Sequence, residues 1–453
     1  MNRLRRLAVA LYIVMFFAAL FFLGMVYGVI AVRSDLPPGA WLGRAVIAME
    51  AWHEYLFQFH AGNRGLKQRQ LVILGRWQRE RTKEKGVLRH SPDRTYPGYT
   101  LFTSAHEQGA RLIDMDGHVV HEWKKTFDEV WPDGRHLAPT PLVDPDFIMW
   151  RHAHVYPNGD ILAVFEGIGV TPWGFGLAKL DMNSNVIWTC EERVHHELDV
   201  APDGTIAALS HQLRDRPIED LSYLRTPLVE DFVIILTPDG RVVSKWSLYE
   251  GLADSPWRPY LELVPEKDDQ DYLHANTVKF VPVEFAAANP PVSAGDLMIT
   301  LREPNLVLII RPSTGKVVWA RSMPCRAPHH ATPLPNGNMM IFDNQGRRER
   351  GGISRVVEFC PRSGAAVWSF HGNKQEYFFS LVRCSQQVLP NNNVLITESD
   401  AGRLLEVTRN GDIVWEWRTP HRGETLGLPE AVPIICTGVR YTPEQLPFLE
   451  KQK

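Results

Sequence analysis

Between residues 112 and 417 one pattern recurs six times: an apolar run, a polar turn, a Val/Ile-rich run and a Trp. It reads LIDMDGHVVHEW at 112–123, LAKLDMNSNVIW at 177–188 and VIILTPDGRVVSKW at 233–246. It returns as VLIIRPSTGKVVW at 307–319, VVEFCPRSGAAVW at 356–368 and LLEVTRNGDIVWEW at 404–417. A second pattern alternates with it: RHAHVYPNGDILAVF (151–165), HHELDVAPDGTIAAL (195–209), HHATPLPNGNMMIF (329–342) and CSQQVLPNNNVLIT (384–397). A looser copy opens at LHANTVKFVP (273–282) and resumes at GDLMITL (295–301). Asn-Gly or Asp-Gly between short apolar runs marks a hairpin, because a tight primed turn needs positive φ at its centre. Each pair of patterns therefore supplies four short antiparallel strands. Such a unit, repeated, predicts an all-β six-bladed β-propeller. Residues 98–104 offer the early strands of the first blade, and the C-terminal stretch is a candidate for a closing strand without an assigned position. A β-sandwich is the competing architecture, but it requires no such period.

The stretch from Leu7 to Val32 carries no charge. A bilayer needs about 20 apolar residues in a helix, so this stretch predicts a transmembrane anchor rather than a cleaved leader. Arg3, Arg5 and Arg6 precede it, which keeps the N-terminus in the cytoplasm and exports the rest. Apolar residues at helical spacing from about Arg44, followed by a basic run from Lys67 to Lys85, predict a helical linker. The expected layout is a basic end (1–6), a transmembrane helix (7–32), a helical linker (33–96), the propeller (97–435) and a C-terminal tail (436–453). The propeller would face the periplasm or another extracytoplasmic space. A net charge of −3 gives no global basic field, so no nucleic-acid partner is expected. Five cysteines without a CxxC pair indicate neither a zinc knuckle nor a dense disulfide framework. One or two disulfides would suit an exported domain.

In a propeller the innermost strand of every blade lines a central channel, so equivalent positions of different blades converge. The second pattern opens with histidine in four copies: His152 and His154, His195 and His196, His274, His329 and His330. The copy at 384–397 has Arg383, Cys384 and Ser385 there instead. A single histidine is most often a structural residue; several at equivalent positions point to a site. Arg302 follows about one hairpin after His274. A guanidinium among imidazoles makes an anion site and repels a metal cation, so no metal is expected. The bland role for Arg302 is an ion pair with Glu303. Trp173, Phe175, Tyr377 and Phe378 are candidates to stack on an aromatic ligand, or ordinary propeller packing.

These residues resemble the bacterial arylsulfotransferase family, the type that uses no nucleotide sulfate donor. The resemblance spans about Pro97 to Pro420. It rests on His195-His196-Glu197, Leu273-His274-Ala275-Asn276, Leu301-Arg302 before IIRPSTGKVVW, and His330-Ala331 through LPNGNMMIFDN. It implies a six-bladed propeller that moves a sulfuryl group from an aryl sulfate donor to a phenolic acceptor through a sulfohistidine. By motif match His330 would be the nucleophile, with His329 beside it as the other choice. Arg302 would hold the sulfuryl oxygens. His196 and His274 would bind those oxygens and handle the phenolic proton, and Asn276 would assist. His195, His329 and His154 would line the substrate site. No cofactor is implied. The chain departs from the family where an anchor and linker stand in place of a cleaved leader and an N-terminal β-rich domain. The rivals are a non-catalytic binding propeller, a hydrolase or lyase using the same anion site, and a metal-binding propeller.

Overall fold

The computed structural model describes residues 15–27, 76–138, 143–219, 221–262, 264, 270–347, 353–373, 376–425 and 428–452. Two compact units divide the chain, Met1–Arg69 and Gln70–Lys453. In the first, residues 15–27 form a helix whose large apolar side chains are exposed. Among the described residues no helix is long and apolar enough to cross a membrane. The remainder of the expected 7–32 span, and the linker as far as residue 75, lie outside the described residues.

The second unit is a ring of six antiparallel sheets, in agreement with the repeat count. Blade 2 is Ile148–Val155, Ile161–Gly167, Gly174–Leu180 and Val186–Cys190. Blade 3 is Val194–Val200, Ile206–Arg214, Leu228–Leu236 and Val242–Ser247. Blade 4 runs from Ala275–Phe280 through Leu297–Leu301 and Leu306–Arg311 to Lys316–Ser322. Blade 5 runs from Pro328–Pro333 through Met339–Arg347 and Ile353–Phe359 to Ala366–His371. Blade 6 runs from Ser385–Val388 through Val394–Glu398 and Arg403–Val407 to Ile413–Arg418.

Three segments depart from the expected layout. Ile435–Tyr441, which crosses the expected boundary between propeller and tail, is the innermost strand of blade 1, beside Tyr99–Ser104, Gly109–Ile113 and Val119–Lys124. The C-terminal strand thus shares a blade with the first strands of the propeller and ties the two ends of the ring together. Within the expected helical linker, Gly86–His90 is a fifth, outer strand of blade 6, paired with Ile413–Arg418. Trp77–Gln78 joins Leu428–Pro433 and Gly423–Thr425 in a small separate sheet.

The apolar alternation of the strands is spent between blades. Met298 and Ile309 of blade 4 pack with Ile341 and Phe359 of blade 5, and equivalent clusters fill the other blade interfaces. The recurring Trp has a second task. Trp123, Trp188, Trp246, Trp368 and Trp415 each donate Nε1–H to a turn carbonyl of the next blade, at Gly159, Pro238, Pro312, Arg409 and Met115. In blade 4 Arg321 reaches the turn carbonyls of Arg362 and Ser363 at 2.7 Å. These latches run around the ring, and the innermost strands meet one another along the channel.

Candidate active site

The inner strands are irregular where the histidines sit. Register breaks between His195 and Leu198, between Ala275 and Thr277, and between His329 and Thr332. His196, His274 and His330 take positive φ of 53°, 50° and 56°. Positive φ is uncommon outside glycine and clusters where function holds the backbone in place. A bulge breaks the two-residue alternation of a strand. Neighbouring side chains such as His329 and His330 therefore both face the channel, at different depths, where strict alternation admitted only one.

The channel holds two cavities joined by a neck. One pocket, of about 230 Å³, is lined by His196, His274, Arg302 and His329 together with Trp173, Arg151, Glu166 and Arg383. The other, of about 680 Å³, has His152, His330, Lys279 and Asp199 at its base and largely apolar walls including Leu334, Val388 and Leu389. Between them lies a constriction of about 10 Å³, room for about one water, lined by residues of both cavities and by Asn276 and Cys384.

In the smaller pocket the donors outnumber the acceptors. Arg302 follows strand Leu297–Leu301, and its N–H donates to the His274 carbonyl at 3.1 Å, which fixes the two residues side by side. Its Nη1 pairs with Glu303 at 2.8 Å, as the bland reading expects, while its buried Nε has no acceptor among the described residues. Trp173 Nε1 and Arg383 Nη1 are buried there without an acceptor as well. Unmet N–H groups and guanidinium charge in one small pocket suit an anion with several oxygens.

The imidazoles are held in defined tautomers. Asn344 donates its amide N–H to the Ser380 and Arg383 carbonyls, so its Oδ1 accepts from His329 Nδ1–H at 2.8 Å. That leaves the lone pair of His329 on Nε2, which accepts a hydrogen bond from the Arg383 backbone N–H at 3.2 Å. Burial and then the Arg302 charge hold His329 well below the ordinary histidine range, so it is neutral at pH 7. Burial and then Arg151 do the same for His196. His274 Nδ1 is hydrogen-bonded to Asp271.

His330 does not join this pocket. The bulge turns its ring toward the larger cavity, where Nε2 meets Glu197 at 3.0 Å. Asn276 stays in the neck, its amide N–H given to the Pro328 carbonyl at 2.9 Å. His195 is fully buried behind His196. His154 lies two residues beyond His152 against Tyr156 and lines neither cavity. Of the four candidate aromatics only Trp173 reaches the pocket; Phe175 and Phe378 are buried packing and Tyr377 is exposed. Arg151, Arg383, Asp271 and Asn344 were not singled out as site residues from the sequence. Arg151 directly precedes His152, and Arg383 opens the one repeat that lacks a histidine, so both carried a positional signal. All five cysteines are free thiols.

Among the described residues, the carboxylate–imidazole groups within reach of a single ion are Glu166 with His195 and His196, His195 with His211 and Asp231, and an exposed surface turn at Asp114, Asp116 and His118. The hydrogen bonds oppose ligation in the first two. His195 Nδ1 and His196 Nδ1 share a proton at 2.8 Å. The Gly174 N–H donates to His211 Nε2, which puts that ring's own proton on Nδ1.

No curated protein matches this chain in sequence. A Bacteroides caccae protein of unknown function is similar in structure, at 13% identity and a TM-score of 0.45, over 75% of this chain and 99% of that one. A streptogramin B lyase aligns at 15% identity and a TM-score of 0.39, over 76% and 87%. A Staphylococcus aureus virginiamycin B lyase does so at 12% and 0.36, over 62% and 74%. Likenesses this distant carry no argument about chemistry. The sequence model of the arylsulfotransferase (ASST) family, by contrast, matches residues 152–420, from the first inner-strand histidine of blade 2 to the end of blade 6. The chain belongs to the arylsulfotransferase family, a family of sulfotransferase-type enzymes.

Proposed function

We propose that the smaller pocket moves a sulfuryl group from an aryl sulfate to a phenol in two displacement steps, with His329 as the nucleophile. The observation that carries this is the seating of a neutral His329, its lone pair on Nε2, among Arg302, Arg383, Arg151 and the unmet Trp173 N–H. In the first step His329 Nε2 gives up its hydrogen bond from the Arg383 N–H and bonds to sulfur, and the S–O(aryl) bond breaks. The leaving aryloxide takes a proton from His274, whose other ring nitrogen is held by Asp271. In the second step the acceptor phenol gives its proton to neutral His196, from which it returns to His274 beside it; the phenol oxygen bonds to sulfur and the N–S bond breaks. No net proton is gained or lost. A covalent imidazole adduct divides one hard transfer into two easier ones, and fixed donors on the equatorial oxygens supply electrostatic stabilisation. His330 was the residue picked by motif; the geometry favours its neighbour.

The test is phenol release from a coloured aryl sulfate, with and without a second phenol. His329→Ala should abolish acceptor-dependent release by at least about 10³-fold, in line with loss of a covalent nucleophile. His330→Ala should keep it. The reverse pattern would return the role to His330, release without acceptor dependence would indicate a hydrolase, and no release from any donor would favour a binding propeller.

We propose also that the uncharged stretch around residues 15–27 anchors the protein in a membrane with the propeller on the extracytoplasmic side. Support comes from the exposed Phe16, Phe17, Phe21 and Phe22 of its helix. Release of the intact chain from membranes by alkaline carbonate would rule the anchor out.

A further inference from the structure

Behind the pocket wall a chain of buried polar groups has no evident task in holding the fold. His195 and Asp231 are fully buried and His211 nearly so. His195 Nδ1 lies 2.8 Å from His196 Nδ1, and His195 Nε2 lies 3.4 Å from Asp231 Oδ1, an ion-pair distance at which neither atom has a hydrogen-bond partner among the described residues. The other Asp231 oxygen accepts the Ala275 N–H at 2.9 Å, next to His274. Exactly one proton can sit between two facing Nδ1 atoms, and its owner decides where each ring keeps its lone pair. The carboxylate favours a proton on His195 Nε2. That makes His195 Nδ1 the acceptor and His196 Nδ1–H the donor. His196 then presents an unprotonated Nε2 to the pocket.

We propose that Asp231 and His195 act through His196 as positioning residues, a buried Asp–His–His relay that holds His196 in the tautomer able to receive the phenolic proton. This rests on the sulfuryl-transfer reading of the pocket. As the acceptor phenol attacks, its O–H bond breaks and the proton bonds to His196 Nε2. The imidazolium so formed keeps its Nδ1–H on His195, and the Asp231 carboxylate stabilises the added charge through the intervening ring. The proton then passes from His196 Nε2 to His274, whose ring centre stands 5.0 Å away, and from there to the next departing aryloxide. A metal ion held by His195, His211 and Asp231 is the competing use of the same atoms, and the Gly174 N–H on His211 Nε2 opposes it.

Asp231→Asn is the informative change. An Asn side chain can still accept the Ala275 N–H, but it turns an N–H toward His195 Nε2. The relay then reverses: His195 donates from Nδ1, and His196 carries its proton on Nε2. With full-length protein and nitrophenyl sulfate, kcat should fall at least about 10²-fold while KM changes less than about 3-fold, as expected for loss of a correctly poised general base. His195→Gln, whose amide oxygen can accept from His196 Nδ1–H, should stay within about 10-fold of wild type. His195→Phe, which offers no acceptor, should fall as Asp231→Asn does. Ring-¹⁵N histidine spectra of the full chain read the tautomer without reference to turnover. His196 should be protonated on Nδ1 in the native protein and on Nε2 in Asp231→Asn. Native His196 protonated on Nε2, an unchanged kcat in both Asp231→Asn and His195→Phe, or a stoichiometric metal in the purified protein would each overturn the relay. Absence of sulfuryl transfer would count against the reading of the pocket, while the spectra would still decide the tautomer.

Discussion

Glu197 sits between the two cavities and shares one oxygen with His330 Nε2 at 3.0 Å and Lys279 Nζ at 2.5 Å. Burial alone would push its carboxyl up; His330 and Lys279 outweigh burial and hold it below the usual carboxylate range. Burial likewise opposes the Lys279 charge, and Glu197 with Asp199 raises it. A depressed carboxyl adds stability that is complete above its unfolded pKa of about 4.3 and is lost as pH falls through the folded value. The two partners are therefore unequal. His330→Ala leaves Lys279 to neutralise Glu197 and should cost about 1–3 kcal/mol. Lys279→Met strands the buried carboxylate and should cost about 3–5 kcal/mol. Urea unfolding at pH 7 measures both, and equal costs would show that Glu197 does not depend on the lysine. Residue identity was readable at this scale where it repeated: His196 and His274 followed from equivalent positions of the second pattern, and Arg302 from its place about one hairpin after His274. The choice between His329 and His330 was not, because alternation fails at a bulge and no residue type announces one. Trp173 stood among the stacking candidates, but its unmet N–H depends on where the neighbouring acceptors lie.

Elements are joined by the tryptophan latches, and glycine makes room for them. Trp246 donates to the Pro312 carbonyl at 3.0 Å, and its ring lies over Gly315 of the same turn. A Cβ at Gly315 would lie 2.4 Å from that ring, and the backbone there has φ +71°. Gly315→Ala thus meets both a steric and a conformational cost, and should destabilise by about 1–3 kcal/mol. Trp246→Phe keeps a smaller aromatic ring and removes the donor; the lost hydrogen bond alone should cost about 0.5–1.5 kcal/mol. Chemical denaturation of the two variants checks the order; a Gly315→Ala protein as stable as wild type would mean that the ring can slide away. The six-fold recurrence of Trp after a turn was visible in the sequence and gave the blade count. Its partner was not, since the accepting carbonyl belongs to the following blade. Gly86–His90 was placed in the linker, and the closing strand Ile435–Tyr441 had no position assigned from the sequence, for a related reason. Each is a single strand added to a blade built elsewhere in the chain, so neither carries the repeat that identified the others.

At the scale of the whole molecule, the propeller buries six histidines in surroundings that disfavour their charge. Burial pushes His106 and His152 down to about 3 and His154 to about 4, and it holds His196, His211 and His329 well below the ordinary range. In the unfolded chain these rings titrate near pH 6.5. Between pH 6.5 and 5 the unfolded chain gains protons that the folded chain refuses, so stability falls as pH falls. Each fully buried neutral histidine contributes about 1.4 kcal/mol per pH unit to that slope. Glu107, Asp199, Asp231, Asp343 and Asp400 act in the opposite sense, because burial raises their carboxyls and the folded chain gains protons first as pH drops. More groups act in the destabilising sense, so the net effect is loss of stability in a range where most carboxylates are still ionised. Thermal unfolding from pH 7.5 to 5 should show a falling Tm that begins near 6.5. His152→Gln should flatten the stability slope by about 1.4 kcal/mol per pH unit. A Tm that holds level or rises from pH 7 to 5 would mean that these histidines take up protons in the folded propeller, and with them the neutral nucleophile proposed for the pocket would be lost.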